Sequence, residues 1–310
     1  MRKLVLMLMI SSTVLSLCAF NPGYSGFIIK INGLNIPYDR FTVFVLPGQT
    51  VDLTIKKEAG GHIDIQTSTG RLIKKDDQHW KYVAPQSKGN HVLKLTGSDP
   101  DKKMILNVFV MVQASEQKGE YLNGYRIGKY PEKLYKNNPA YQKPKGFIEV
   151  TKENKYLQIS PHFHLGQFIC KQQPGYWPKY MVLDPKLIIK LELLLEMLNN
   201  KGMEINSLFV MSGYRSPYYN SSIGRGIYSR HIYGDAADVY VDTNNDKIID
   251  DLNRDRKASM NDAVFMGNII EEMDKSPEYK HLIGGLGKYK KTSAHTWDIH
   301  VDTRGFKARW

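Results

Sequence analysis

Two short stretches of this chain hold residue types whose spacing can do chemistry. In Ser229-Arg230-His231-Ile232-Tyr233-Gly234-Asp235-Ala236-Ala237-Asp238, a histidine and an aspartate stand seven residues apart. In His295-Thr296-Trp297-Asp298-Ile299-His300-Val301-Asp302, a further histidine, His300, is flanked by acids. His231, Asp238 and His300 together would supply two imidazoles and one carboxylate, with a fourth position left to water, which is the donor set of a catalytic zinc site. Zinc accepts such borderline nitrogen and oxygen donors, and an open position lets it activate water near neutral pH.

The elements that must position these residues can be read from the same stretches. Gly234 allows a tight turn, Ala236 and Ala237 are small, and Val239-Tyr240-Val241 reads as a strand. His231 before the turn and Asp238 at the start of the strand can then face one point. Trp297, Ile299 and Val301 alternate with Asp298, His300 and Asp302, so in a strand the three polar groups share a face. That places Asp298 beside His300, where a general base is wanted. Asp235 is expected to be exposed.

The pattern Ser-x-His-x-x-Gly-x-Ala-x-Asp followed by a late strand histidine resembles the zinc D-alanyl-D-alanine carboxypeptidase and murein endopeptidase family. Ser212-Gly213-Tyr214-Arg215-Ser216-Pro217 with Asn220, Gly284-Gly285-Leu286-Gly287-Lys288-Tyr289, and Ile299-His300-Val301-Asp302-Thr303 fall in the same order. The resemblance covers about Ile159 to Trp310. It implies zinc ligation by His231, Asp238 and His300, and peptidoglycan stem peptides or crosslinks containing D-amino acids as substrate. Arg215 would hold a substrate carboxylate or steady an oxyanion, the alternative being a structural ion pair. His295 would stabilise the oxyanion or the leaving amine, the alternative being a simple loop histidine. Many members carry the catalytic acid three residues before the last histidine ligand. Here that position is Trp297, and Asp298 takes the role by strand alternation.

The remainder of the 310 residues suits two modest domains. Residues 1–19 read as a secretory leader, with basic Arg2-Lys3 and an apolar run from Leu4 to Leu17 too short for a membrane span. Cys18 follows Leu15-Ser16-Leu17, a poor lipobox, so cleavage near Ala19 is preferred over lipidation. Cys170 is the other cysteine, so the mature chain has no internal disulfide.

Residues 20–113 carry short β-branched and aromatic runs between Pro47-Gly48, Gly60-Gly61, Gly70 and Asp99-Pro100, which predicts an all-β, immunoglobulin-like sandwich. Residues 114–146, rich in Lys, Tyr, Pro, Asn and Gly, read as a linker or extended segment lying on the next domain. Its tyrosines either stack on sugars or pack on a neighbour. Residues 147–310 are expected to form an α+β zinc peptidase domain with a small antiparallel sheet.

In that domain Asp184 caps a helix running to Gly202, whose Leu187, Ile188, Leu191, Leu194, Leu195 and Leu198 form a core stripe. Ser259 caps a second helix, Met260 to Asp274. His162 and His164 have a metal-pair look but are read as structural. Residues 242–253 place oxygen donors at alternate positions like a Ca²⁺ loop. Lys247 stands where such a loop has glycine and Asn253 where it has an acid, so a solvated acidic insertion is preferred.

The chain thus reads as an exported, periplasmic or envelope-associated zinc peptidase, with no transmembrane span in its mature form and its amino-terminal domain available for envelope anchoring. The net charge of +12 fits an anionic envelope, and no nucleic-acid module is visible. The rival reading is a non-catalytic cell-wall-binding or adhesion protein that keeps zinc for stability.

Overall fold

Alternation of apolar and polar residues forms the amino-terminal strands. In Tyr24–Ile31, Ser25, Phe27, Ile29 and Ile31 turn inward, and in Thr50–Lys56 so do Val51, Leu53 and Ile55. The computed structural model describes residues 20–56 and 62–310, so the predicted leader with Cys18 lies outside the described residues. One sheet orders Leu34–Tyr38, Tyr24–Ile31, Thr50–Lys56, His79–Val83 and Arg71–Lys74; a second orders Arg40–Val45, Lys103–Val110, Gly89–Gly97 and Ile63–Thr67. Arg40–Val45 runs parallel to Lys103–Val110, whereas the other pairs in these two sheets are antiparallel. The β-rich reading of this half holds. Leu34–Tyr38, Ile63–Thr67, Arg71–Lys74 and His79–Val83 are strands with too few consecutive β-branched or aromatic residues to stand out in the sequence.

The second sheet is buried on both faces only along Arg40–Val45 and the adjoining end of Lys103–Val110. Thr42 and Asn107 have almost no exposure, and Asn107 Nδ2 donates to Thr42 Oγ1 at 3.2 Å and to the Gln158 carbonyl at 3.2 Å. The carboxy-terminal half therefore covers this part of the sheet, and a single apolar cluster runs from Phe27 through Leu106 to Val301. The molecule is built of several small sheets with few helices and no closed barrel. No helix among the described residues is long and apolar enough to cross a membrane.

The helix Pro185–Asn200 begins as its sequence predicts: Asp184 accepts from Lys186 N at 2.8 Å and proline opens the first turn. Its leucine stripe is fully buried, with roughly 1.5–3 kcal/mol available per buried leucine side chain. Periodicity does not anticipate Lys190, buried on the same helix, whose Nζ donates to the carbonyls of Leu282 and Asp302, each at 3.0 Å. Met260–Lys275 starts at a capping box in which Ser259 and Asp262 bond each other's backbone amides. These helices back a five-stranded sheet ordered Phe209–Ser212, Ala236–Tyr240, Asp298–Asp302, Gly285–Tyr289 and Ala308–Arg309.

Residues 242–256 repeat one turn at a nine-residue offset. Asp246 N and Lys247 N donate to Asp242 as Asp255 N and Arg256 N donate to Asp251. Asn245 and Lys247 share the left-handed φ of Arg254 and Arg256, so Lys247 takes at φ 65° the conformation expected of glycine. Asp242 and Asn244 spend side-chain oxygens on the loop's own amides, while Asn253 donates to Asp255 at 2.9 Å.

Candidate metal centre

The centre begins with register. In the antiparallel pair of Ala236–Tyr240 and Asp298–Asp302, Asp238 stands directly opposite His300, so their side chains leave the sheet on one face. His231 enters from the 3₁₀ turn Arg230–Tyr233, which ends at Gly234 with φ 74°. A side chain on Gly234 would meet the Val182 carbonyl, so only glycine fits this turn. His231 Nε2 lies 3.2 Å from Asp238 Oδ1 and 3.1 Å from His300 Nδ1, and His300 Nδ1 lies 2.9 Å from Asp238 Oδ1. All three residues are buried. Among the described residues they form the one cluster of histidine, cysteine or acidic groups whose ligand atoms converge on a point.

The chemistry of the donors fits a divalent ion. His231 Nδ1 lies 2.7 Å from the Gly213 carbonyl and must carry its proton there, which leaves Nε2 as a lone pair facing Asp238. His300 Nε2 lies 3.1 Å from Asp302 Oδ2, which frees Nδ1 in the same way. Asp302 is clamped in turn by Arg304, with Nε 2.9 Å from Oδ1 and from Oδ2. Two imidazoles and a carboxylate, each imidazole oriented by a second hydrogen bond, match the donor types zinc takes.

The electrostatics are those of opposite charges held out of water. Burial works against the Asp238 carboxylate, but the two imidazoles hold it well below the usual range. Burial lowers His231. It also works against a charged His300, yet Asp238 and Asp302 raise that imidazole to about 9. Burial opposes ionisation of Asp302 too, and His300 and Arg304 more than offset it. A cation at the three donors must displace the His300 proton, so its binding releases a proton.

A cleft of about 510 Å³ opens over the centre, lined by Arg215, Arg225, Tyr289, His295, Asp298 and Trp310 among others. Asp298 lies wholly buried on the His300 face, and neither carboxylate oxygen has a hydrogen bond. His295 Nδ1 is 3.0 Å from Asp298 Oδ1, an ion-pair distance, while its hydrogen-bond geometry favours the Thr296 carbonyl at 2.7 Å. Burial and the neighbouring Asp238 charge push Asp298 up to about 7. Arg215 pairs with Asp238 Oδ2 and donates from Nε to Ser212 Oγ at 2.8 Å.

Asp235 is buried, contrary to the exposure expected of it. Arg230 grips its carboxylate from Nε and from the terminal nitrogen, and Arg230 itself lies between the Tyr141 and Tyr233 rings. A buried acid beside a buried guanidinium is a partner and not a surface group. His162 is structural, with Nδ1 at 2.7 Å from Glu192 Oε2. The tyrosines of 114–146 pack on their neighbours: Tyr130 donates to the Ile232 carbonyl at 2.9 Å, and Tyr141 is buried against Tyr233.

Three contributors stand outside the ligand and catalytic residues expected from the sequence. Asp302 is two residues after His300 on the same strand, which was the available signal for its orienting role. The Gly213 carbonyl and Trp310, whose ring lies 5.2 Å from that of His300, carry no such signal.

A buried His-Asp-His triad on one face of a small sheet, antiparallel except where Gly285–Tyr289 runs parallel to Ala308–Arg309, opens to a cleft and defines a candidate mononuclear metal centre. Residues 161–267 match the Peptidase M15 family, a family of zinc D-Ala-D-Ala carboxypeptidase type, which places that family in the carboxy-terminal half as the motifs implied. The matched stretch contains His231 and Asp238 and stops before His300. No curated protein matches the chain. Among solved structures, an LD transpeptidase, LdtMt1, in complex with imipenem is similar at 15% identity and TM-score 0.20, over 41% of this chain and 62% of that one. A DUF4784 family protein from Bacteroides caccae is similar at 8% identity and TM-score 0.16, over 35% of this chain and 31% of that one. The chain thus spans less than two thirds of either structure, and neither likeness is close enough to carry an argument.

Proposed function

We propose that this protein is a zinc-dependent peptidoglycan peptidase acting on stem peptides or crosslinks that contain D-amino acids. The observation that carries the reading is the convergence of His231 Nε2, Asp238 Oδ1 and His300 Nδ1, each imidazole with its other nitrogen already engaged. When bound, zinc supplies Lewis acidity toward a carbonyl and activation of water. Asp298, buried beside the centre with neither oxygen hydrogen-bonded, accepts the proton of the attacking water and returns it to the leaving amine. His295, at ion-pair distance from Asp298, favours the ionised carboxylate that must accept the first proton. Arg215 keeps Asp238 charged and oriented, and its position in the cleft lets the same guanidinium meet a substrate carboxylate or a developing oxyanion.

In this reading residues 20–113 form an immunoglobulin-like sandwich that anchors the enzyme in the envelope, 114–146 belts the peptidase domain of 147–310, and residues 1–19 direct export. The test is to incubate the purified chain with murein and its fragments, with and without chelator, and follow the products by mass spectrometry. Metal-dependent release of D-alanine means carboxypeptidase, and split crosslinked dimers mean endopeptidase. Unchanged murein in both arms overturns the peptidase and leaves the zinc-stabilised wall-binding protein.

A further inference from the structure

A second concavity of about 370 Å³ lies beside the metal cleft, between the 120–131 segment and the short helix Pro217–Ser222. Arg225 lines both concavities, and Ile232 of the second follows the candidate ligand His231 in the chain. A ligand lying across the Arg225 ridge would therefore reach from one to the other.

The charge of this groove is one-sided. Arg126, Lys129 and Arg225 face a single acid, Glu120. Glu120 is already taken, with Oε2 accepting from Arg126 Nε at 2.9 Å and from its terminal nitrogen at 2.8 Å. The Arg126 guanidinium in turn stacks 3.9 Å from the centre of the Tyr218 ring, which fixes it as part of the floor. Lys129 and Arg225 remain, and among the described residues neither side chain has a hydrogen-bond or ion-pair partner. Asn220 adds a different group. It is 2% exposed, and its Nδ2 donates to the carbonyls of Arg225 and Gly226 at 3.3 and 2.9 Å. Its Oδ1 has no partner, so a buried acceptor lies unsatisfied in the groove wall.

Two uncommitted cations beside the committed Arg126 guanidinium, in a concavity adjoining the metal cleft, ask for an anionic ligand. We infer that this groove is a subsite for a carboxylate-bearing peptide arm of the substrate. The free carboxylate meets Lys129 and Arg225. This rests on the peptidase reading only in making the arm part of the molecule cleaved next door; the recognition chemistry is independent of cleavage.

The test uses the full chain and two synthetic peptides identical except that one presents a carboxylate and the other a carboxamide on the arm. With zinc-loaded protein, wild type prefers the carboxylate peptide. Lys129→Glu lowers the ratio of kcat/KM between the two peptides by about fivefold, the size expected for losing an exposed charge pair. The change falls in KM and not in kcat, and Lys129→Arg restores it. In parallel, fluorescence anisotropy measures equilibrium binding of the labelled carboxylate peptide to the His300→Ala chain, which lacks a metal ligand. There too Lys129→Glu weakens binding about fivefold, and raising the salt weakens it in the parent. Discrimination in the binding assay without any cleavage keeps the subsite and removes the peptidase. Cleavage in which wild type treats both peptides alike, or in which Lys129→Glu leaves the ratio unmoved, keeps the peptidase and overturns the subsite.

Discussion

In the strand Thr50–Lys56 the side chains of Val51, Leu53 and Ile55 are buried while Asp52, Thr54 and Lys56 turn away from the core. In Asp298–Asp302 all five residues are buried, and Asp298, His300 and Asp302 are ionisable. Both strands obey the same two-residue alternation. They differ in what covers the second face. Solvent covers the polar face of the first, so alternation there yields an ordinary half-buried sheet. A cleft, a 3₁₀ turn and Arg304 cover the second, where His300 and Asp302 are answered by other polar groups while Asp298 lies beside His295 without a hydrogen bond.

That contrast is broken most directly at His300. His300→Ala should abolish stoichiometric zinc and reduce peptide cleavage below detection while the chain stays folded, as checked by metal analysis and circular dichroism. Retained zinc would mean that the converging face is not the metal centre. The matching cut in the amino-terminal sheet is Leu53→Ala, which should cost about 2–5 kcal/mol in denaturant unfolding through the cavity it leaves. Zinc content should remain one ion per chain. If Leu53→Ala also strips the metal, the two halves are not separable in function.

Asp302→Asn probes the support of the centre without touching a ligand. It keeps an oxygen near His300 Nε2 but removes the charge gripped by Arg304. Zinc affinity should fall about 10–100-fold, measured by competition with a chromophoric chelator. An unchanged affinity would mean that strand geometry alone orients His300.

The contrast also explains what the sequence could show. Thr50–Lys56 and the leucine stripe of Pro185–Asn200 announce themselves because their burial depends on local period alone. His231, Asp238 and His300 were readable because turn, small residues and alternation are local too. Their meeting depends on the Asp238–His300 register, which no local window contains. Asp235 escapes a local reading for the same reason: Arg230 is near in sequence, but the Ala140 carbonyl and Tyr141 ring that hold Arg230 over it come from a distant segment. Lys190 sits inside an apolar stripe and is tolerated only because two distant carbonyls end there.

At the surface the same pairing logic should weaken, and Glu271 gives the smallest and most conditional effect. Arg309 holds its carboxyl down to about 2 from the usual 4.5, with Lys307 Nζ at 2.6 Å from Oε2 contributing further. A carboxyl with a depressed folded-state value adds stability that is complete above pH 4.5 and drains away as the pH falls toward 2. Wild type should therefore lose stability through that window more steeply than Glu271→Gln, whose side chain does not titrate. Arg309 keeps Asp274 as a partner in the variant, so its charge is not stranded. Because the Glu271 side chain is 29% exposed, solvent and salt screen the pair, and the difference between the two slopes should shrink as ionic strength rises. Denaturant midpoints at pH 3 and pH 6, each at low and high salt, measure both dependences. Parallel slopes at low salt would show that this surface network, unlike Asp302 under His300, holds nothing that folding depends on.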